Sequence, residues 1–254
     1  AYNQNKLANT GSCFFIDGPG GTGKTHLYNT LYHLFKGQGV RLLTVAWTGI
    51  AANLLPDGRT THSRFKLPVP ILETSTSALR PNTKEAERIR LAEVVIWDEA
   101  PMAPSYALKA IDILLRDLMN TNIPFGGKIM VLGGDFRQVL PVVRFANRSQ
   151  LVAASLKSSE LWSHFKTIRL TKNMRTEAGQ ENFAEWLIEL GNGRLPADDN
   201  NEIELPSECI SNGNLAEEIF GKYISLADVH NLCDKAILCP TNEDALMMNE
   251  QVLH

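Results

Sequence analysis

The sequence lacks any apolar run near the ~20 residues a helix needs to cross a bilayer, and no signal-peptide pattern opens it. Cysteine is scarce: Cys13, Cys209, Cys233 and Cys239 contain no C-x-x-C pair. That excludes the ligand spacing of a zinc finger or ribbon and leaves free, reduced thiols in a reducing compartment as the reading. No segment repeats at a fixed period, which excludes a solenoid or propeller array. A starting methionine is also missing. The opening AYNQNKLANTG reads as the tail of a helix, so a piece of a longer protein is expected.

A strong excess of one charge is absent from the whole chain, whose net charge is -3 over 254 residues. It is present in the parts. Residues 1–175 hold 22 Lys+Arg against 12 Asp+Glu, a net of +10, and residues 176–254 hold 3 against 16, a net of -13. The basic part suits a polyanion, and the acidic part reads as a solvated face.

What is there is an α/β rhythm. Short apolar runs at Cys13–Ile16, Val40–Val45, Val94–Trp97, Lys128–Leu132 and Ile168–Leu170 alternate with helical patterns at Thr25–Phe35, Thr48–Leu55 and Tyr106–Met119. Buried runs separated by helices predict right-handed crossovers and a parallel sheet. Residues 56–90, rich in Pro, Ser and Thr, break the rhythm and read as an insertion, partly loop. After about residue 171 a second α/β unit starts. It has a helix at Phe183–Leu190, a polar acidic connection at 195–214, a strand at Ile237–Cys239 and a helix at Glu243–Val252.

Gly18-Pro19-Gly20-Gly21-Thr22-Gly23-Lys24-Thr25 satisfies the phosphate-loop pattern G-x-x-x-x-G-K-[ST], with a strand before it and a helix after it. Glycines let the backbone turn its N–H groups inward, and the helix start adds positive potential for an anion. Lys24 then faces the β- and γ-phosphates of a nucleotide, and the Thr25 hydroxyl faces Mg²⁺. Asp17, just ahead of the loop, reads as a surface or turn residue. Asp98 and Glu99 end the run VVIW, at the carboxyl end of a strand where ligands sit in open sheets. Asp98 suits Mg²⁺ through water, and Glu99 suits a general base. Gln138, in LGGDFRQVLP, is placed to sense a γ-phosphate. Arg175, in LTKNMR, is placed at the boundary of the second unit to cross a cleft. A phosphate loop alone leaves kinases, GTPases and motors open.

Taken in order, DGPGGTGKT, AWTGIAA, DGRTTHSRFKLP, IWDEAPM, VLGGDFRQVLPV, LTKNMR and ILCPTNED resemble the PIF-type branch of superfamily-one DNA helicases, related to RecD. The versions carried by Helitron-like mobile elements of eukaryotes are the most similar. The resemblance runs from about residue 11 to 252. It implies a RecA-like parallel sheet with helices on both faces as the first lobe, residues 1–165, and an incomplete second RecA-like lobe, residues 166–254. It implies ATP and Mg²⁺ bound through Lys24, Thr25 and Asp98, water activated by Glu99, a γ-phosphate contact from Gln138, and Arg175 as a finger from the second lobe. It implies 5′-to-3′ translocation of a monomer on single-stranded DNA, roles in DNA repair, recombination and telomere maintenance, and nuclear residence, with mitochondria as the alternative. By the same resemblance Thr48, Thr61, His62, Ser63 and Phe65 line the DNA path. Trp47 stands where a small residue is expected and reads as a core or interlobe residue, with stacking on a base as the alternative. Gln4 is a poor match for the adenine-contacting glutamine of the family. Neither a T-x-H-x-x-Q-G-like stretch nor the downstream arginine motif is found, so nucleotide binding with weak unwinding is expected of this chain alone. A small-molecule kinase and a helicase copy that holds DNA without turnover are the rival readings.

Overall fold

The computed structural model describes residues 12–138, 141–143, 145–175, 179–222 and 229–253. Val139, Leu140 and Gln4 lie outside them. Six strands form one parallel sheet among the described residues: β1 (Cys13–Asp17), β2 (Leu42–Ala46), β3 (Arg59–Thr60), β4 (Val94–Asp98), β5 (Ile129–Gly134) and β6 (Phe165–Arg169). Their spatial order is β3-β2-β4-β5-β1-β6. The inner strands β2, β4 and β5 are short and apolar because both of their faces are covered.

The period of two sorts each strand between two cores. Phe15, Val95, Trp97, Met130 and Leu132 enter one cluster, while Ile16, Val94, Ile96, Ile129 and Val131 enter the other. The first face is closed by α4 (Lys84–Leu91) and α5 (Ser105–Met119), through Ile89, Leu108, Ile111 and Leu115. The second is closed by α1 (Lys24–Gly37) and α2 (Gly49–Asn53), through Tyr28, Ala51 and Ala52. Each fully buried aromatic or aliphatic side chain contributes roughly 1.5–3 kcal/mol. Threonines start the three helices between β2 and β4: Thr48 caps α2, Thr60 caps α3 (Thr61–Phe65) and Thr83 caps α4, each accepting an N–H three residues on. The Pro-rich stretch is partly loop as expected. It still delivers Phe65 and Leu67 to the core.

The first compact unit runs from Ala1 to Arg194. This departs from a boundary at 165, because β6 pairs with β1 in register, Cys13 opposite Phe165 and Asp17 opposite Arg169. After β6 come α7 (Glu181–Asn192) and its Gly193 stop, in left-handed conformation. Between β5 and β6 lies α6 (Arg148–Ala154), started by an Asn147–Gln150 capping box.

The second unit, Leu195–His254, holds α8 (Leu215–Phe220), α9 (Val229–Leu232) and α10 (Asn242–Leu253). The strand expected at Ile237–Cys239 is not formed. A strand needs a ladder partner, and the described residues of this unit supply none.

Candidate nucleotide and DNA site

The loop after β1 turns through left-handed glycines, Gly21 at φ 82° and Gly23 at φ 84°, into the first turn of α1. Thr22 is buried and its Oγ1 donates to Pro19 O at 2.9 Å. Lys24 folds back over its own loop, its Nζ donating to Gly18 O at 2.7 Å and Pro19 O at 3.0 Å. Thr25 follows on the same turn, half-buried. The elements that make this shape are local: a buried strand, glycines that accept positive φ, and a helix start.

Register carries the acid pair to it. Trp97 lies opposite Leu132, and Gly133 lies opposite Ile16, so Asp98 ends level with Gly133 two strands from the loop. Asp98 is 3% exposed and its Oδ1 accepts the Glu99 N–H at 2.9 Å. Burial pushes its carboxyl up to about 6, helped by the charge of Glu99 and opposed by that N–H bond and by Lys24. Glu99 itself sits at φ 53°, a left-handed conformation unusual for a side-chain-bearing residue. Beneath the pair lies a residue that sequence reading passed over. Tyr28, one helical turn after Lys24, is fully buried, and its hydroxyl has no hydrogen-bond partner. A Cβ on Gly133 would stand 1.7 Å from that oxygen, so only glycine leaves room for it.

Two more segments close on the loop. The Met174 N–H donates to Gly21 O at 2.8 Å, and a Cβ at Gly21 would meet Asn173 Oδ1 at 2.6 Å and Arg175 Cβ at 3.0 Å. Asn173 Oδ1 in turn accepts the Arg175 N–H at 2.9 Å. Arg175, expected to reach over from a second lobe, therefore stands inside the first unit, held at the phosphate loop by the backbone of its neighbour Met174. The exposed Gln138 places its amide 3.9 Å from the position of a Gly20 Cβ. Asp17 is no bare turn residue. Arg137 binds Asp135 through Nε at 2.7 Å and Asp17 at 3.5 Å, and Arg169 approaches Asp17 at 3.9 Å. The Asp135 and Arg137 of GDFR thus brace the ends of β1 and β5. The clue was in the sequence, opposite charges ending strands that must be neighbours, but the strand order was needed to see it.

The residues nominated for DNA divide. Phe65 is fully buried in the core, and so is Thr61, whose hydroxyl has no partner; neither presents a surface to a strand of DNA. Their spacing of four along the short helix α3 puts both on its inner face, while His62 is half-buried and Ser63 exposed. Burial lowers the His62 imidazole, which stays neutral near pH 7. Its ring lies 4.5 Å from that of Trp47, and Trp47 stacks at 6.5 Å on Trp97. Trp47 packs against the core as expected. Thr48 Oγ1 caps α2 by accepting the Ala51 N–H at 3.3 Å, with Ile50 exposed beside it.

The donor set fits a magnesium–nucleotide. One hydroxyl (Thr25) and one buried carboxylate without a cationic partner in contact (Asp98) are what Mg²⁺ takes from protein when phosphate and water fill its other positions. Among the described residues no three His, Cys, Asp or Glu side chains form a metal cage of their own.

A parallel α/β sheet with a phosphate loop after β1 and an acid pair after β4 defines the P-loop NTPase class. Within it, the family model described as "PIF1-like helicase" matches residues 2–201, and the chain belongs to that family. Among its relatives, the ATP-dependent DNA helicase Pif1 of Bdellovibrio bacteriovorus is 30% identical over 195 residues, covering 74% of this chain and 42% of that one. PIF1 of Saccharomyces cerevisiae is 30% identical over 205 residues, covering 78% and 23%. The crystal structure of a Bacteroides Pif1 with ADP-AlF3 and ssDNA superposes with a TM-score of 0.63 at 26% identity, covering 77% of this chain and 46% of that one. The chain thus spans less than half the length of these relatives.

Proposed function

We propose that this chain is the ATP-hydrolysing core of a DNA helicase, coupling turnover to 5′-to-3′ movement on single-stranded DNA and to duplex unwinding. One observation carries the reading. The phosphate loop, the Asp98–Glu99 pair, Gln138 and the Asn173–Arg175 segment, far apart in sequence, meet at the carboxyl ends of β1, β4 and β5. The solved Bacteroides relative, which holds ADP-AlF3 and ssDNA, supports both ligands.

In this reading the backbone N–H groups at Gly20–Thr25 and the start of α1 receive the β- and γ-phosphates. Lys24 leaves its two loop carbonyls for them, exchanging neutral acceptors for charged ones. Thr25 and Asp98 would hold Mg²⁺, which supplies charge neutralisation across the phosphate oxygens. Glu99 takes the proton of the attacking water, Gln138 orients that water, and Arg175 sits where charge grows on the γ-phosphoryl group. DNA lies over Thr48, His62 and Ser63, with the exposed Arg59 and Lys66 beside them for phosphates. The same reading puts the protein on nuclear DNA, in repair, recombination and telomere maintenance.

The test is ATP hydrolysis with and without single-stranded DNA, with Lys24→Ala as control. Stimulated turnover that the variant loses is expected. Turnover indifferent to DNA would favour a small-molecule kinase, and DNA binding without turnover would favour a passive binding module.

A further inference from the structure

Tyr28 has no task in the mechanism above, yet its placement is costly. Its hydroxyl is buried, lacks a partner, and occupies the space a side chain on Gly133 would need. Phenylalanine would fill the same volume without an unsatisfied polar group. The ring belongs to the core beneath the site, with Ile16, Ala46, Ile96 and Val131. Tyr28 lies four residues after Lys24, so both side chains leave α1 on one face, the lysine at the loop and the tyrosine one turn deeper. Its oxygen stands over Gly133, the residue level with Asp98 on the neighbouring strand.

Resting on the nucleotide reading, we infer that Tyr28 is a positioning residue for the metal-binding acid: its hydroxyl donates a hydrogen bond to the Asp98 carboxylate when magnesium–nucleotide is bound. Among the described residues the hydrogen bond to the Asp98 carboxylate comes from the Glu99 N–H, and the group is otherwise buried. An acid held by a second donor keeps one orientation while its free oxygen faces the metal's water. The phenol suits the task. Burial, then the charges of Asp98 and Glu99, keep it protonated far above neutral pH, so it is always a donor. No further polar side chain is needed, and Gly133 is the small residue that lets the hydroxyl pass.

The experiment compares the full chain with Tyr28→Phe, following equilibrium binding of a fluorescent ATP analogue with magnesium and with EDTA. Thermal unfolding without ligand is measured beside it. The expected result has three parts. Nucleotide affinity in EDTA is unchanged. The gain in affinity from magnesium shrinks about tenfold, the scale of losing a partner that orients a metal ligand. The unfolding midpoint of the ligand-free variant holds or rises, since an unpaired hydroxyl is removed. An unchanged magnesium gain overturns the inference, and so does a ligand-free variant that melts lower, which would mean the hydroxyl is already paired. If the unsubstituted chain shows no magnesium-dependent nucleotide binding, the nucleotide reading falls with it. The first two failures leave that reading standing.

Discussion

Burial raises the Asp98 carboxyl to about 6, so its ionised form destabilises the metal-free fold near neutral pH. Asp98→Asn removes that charge while keeping the shape and an acceptor for the Glu99 N–H. The metal-free variant is expected to be more stable at pH 7 by about 1–3 kcal/mol, read by urea unfolding, while magnesium-dependent nucleotide binding is lost. A variant less stable than its parent would mean the carboxylate is already compensated. Arg137 has the opposite sign. It neutralises Asp135, which is 5% exposed, and reaches Asp17 across the strand ends. Arg137→Ala leaves a buried carboxylate unpaired and is expected to destabilise by about 2–4 kcal/mol. Gln138 follows directly in the chain, so DNA-stimulated ATPase is expected to fall in the same variant.

The strands and helices place further constraints on these residues. Gly133 belongs to β5 by position and to the site by what it omits. A Cβ there would stand 1.7 Å from the Tyr28 hydroxyl and 2.8 Å from its ring. Gly133→Ala is therefore expected to cost about 1–3 kcal/mol by overpacking α1 against the sheet, and the thermal midpoint checks it. At the other end of β5, Lys128 is buried, with its Nζ donating to Arg90 O at 3.0 Å and Ala92 O at 2.6 Å. Burial lowers its ammonium from 10.5 to about 8. Between those two values the unfolded chain keeps the proton and the folded one releases it, so stability rises with pH across that window. The gain is on the order of 3 kcal/mol by pH 10.5 and is lost as pH falls back through 8. Lys128→Met is expected to flatten that rise, measured as urea midpoints from pH 7.5 to 10.5.

At the scale of the whole molecule, the folding boundary after Arg194 falls about twenty residues past the charge boundary near 175, and the two parts it separates still differ in sign. Residues 1–194 hold 23 Lys+Arg against 16 Asp+Glu, a net of +7, and residues 195–254 hold 2 against 12, a net of -10. The sheet and both core clusters fall almost entirely inside the first part. A chain ending at Arg194 is expected to unfold cooperatively and keep nucleotide binding. It is expected to bind single-stranded DNA several-fold more tightly at low salt, about the scale of removing a repelling acidic segment. Anisotropy titrations of both chains across salt concentrations check this, and equal affinities would show that the acidic part does not oppose DNA. Much of this could be read in advance. The glycine loop, the apolar run before Asp98 and Glu99, and the capping threonines act within a few residues, and local sterics and periodicity fix them in any context. The sequence by itself therefore determined the parallel α/β layers, the phosphate loop and the acid pair. Only the tertiary structure decided the rest. Strand order and register set Asp98 level with Gly133, put Tyr28 beneath it, joined Asp17 to Arg137, turned Phe65 and Thr61 into the core, drew β6 into the first sheet and bound Met174 to Gly21. Each of these is a contact between distant segments, whose energy exists only once the chain has closed on itself.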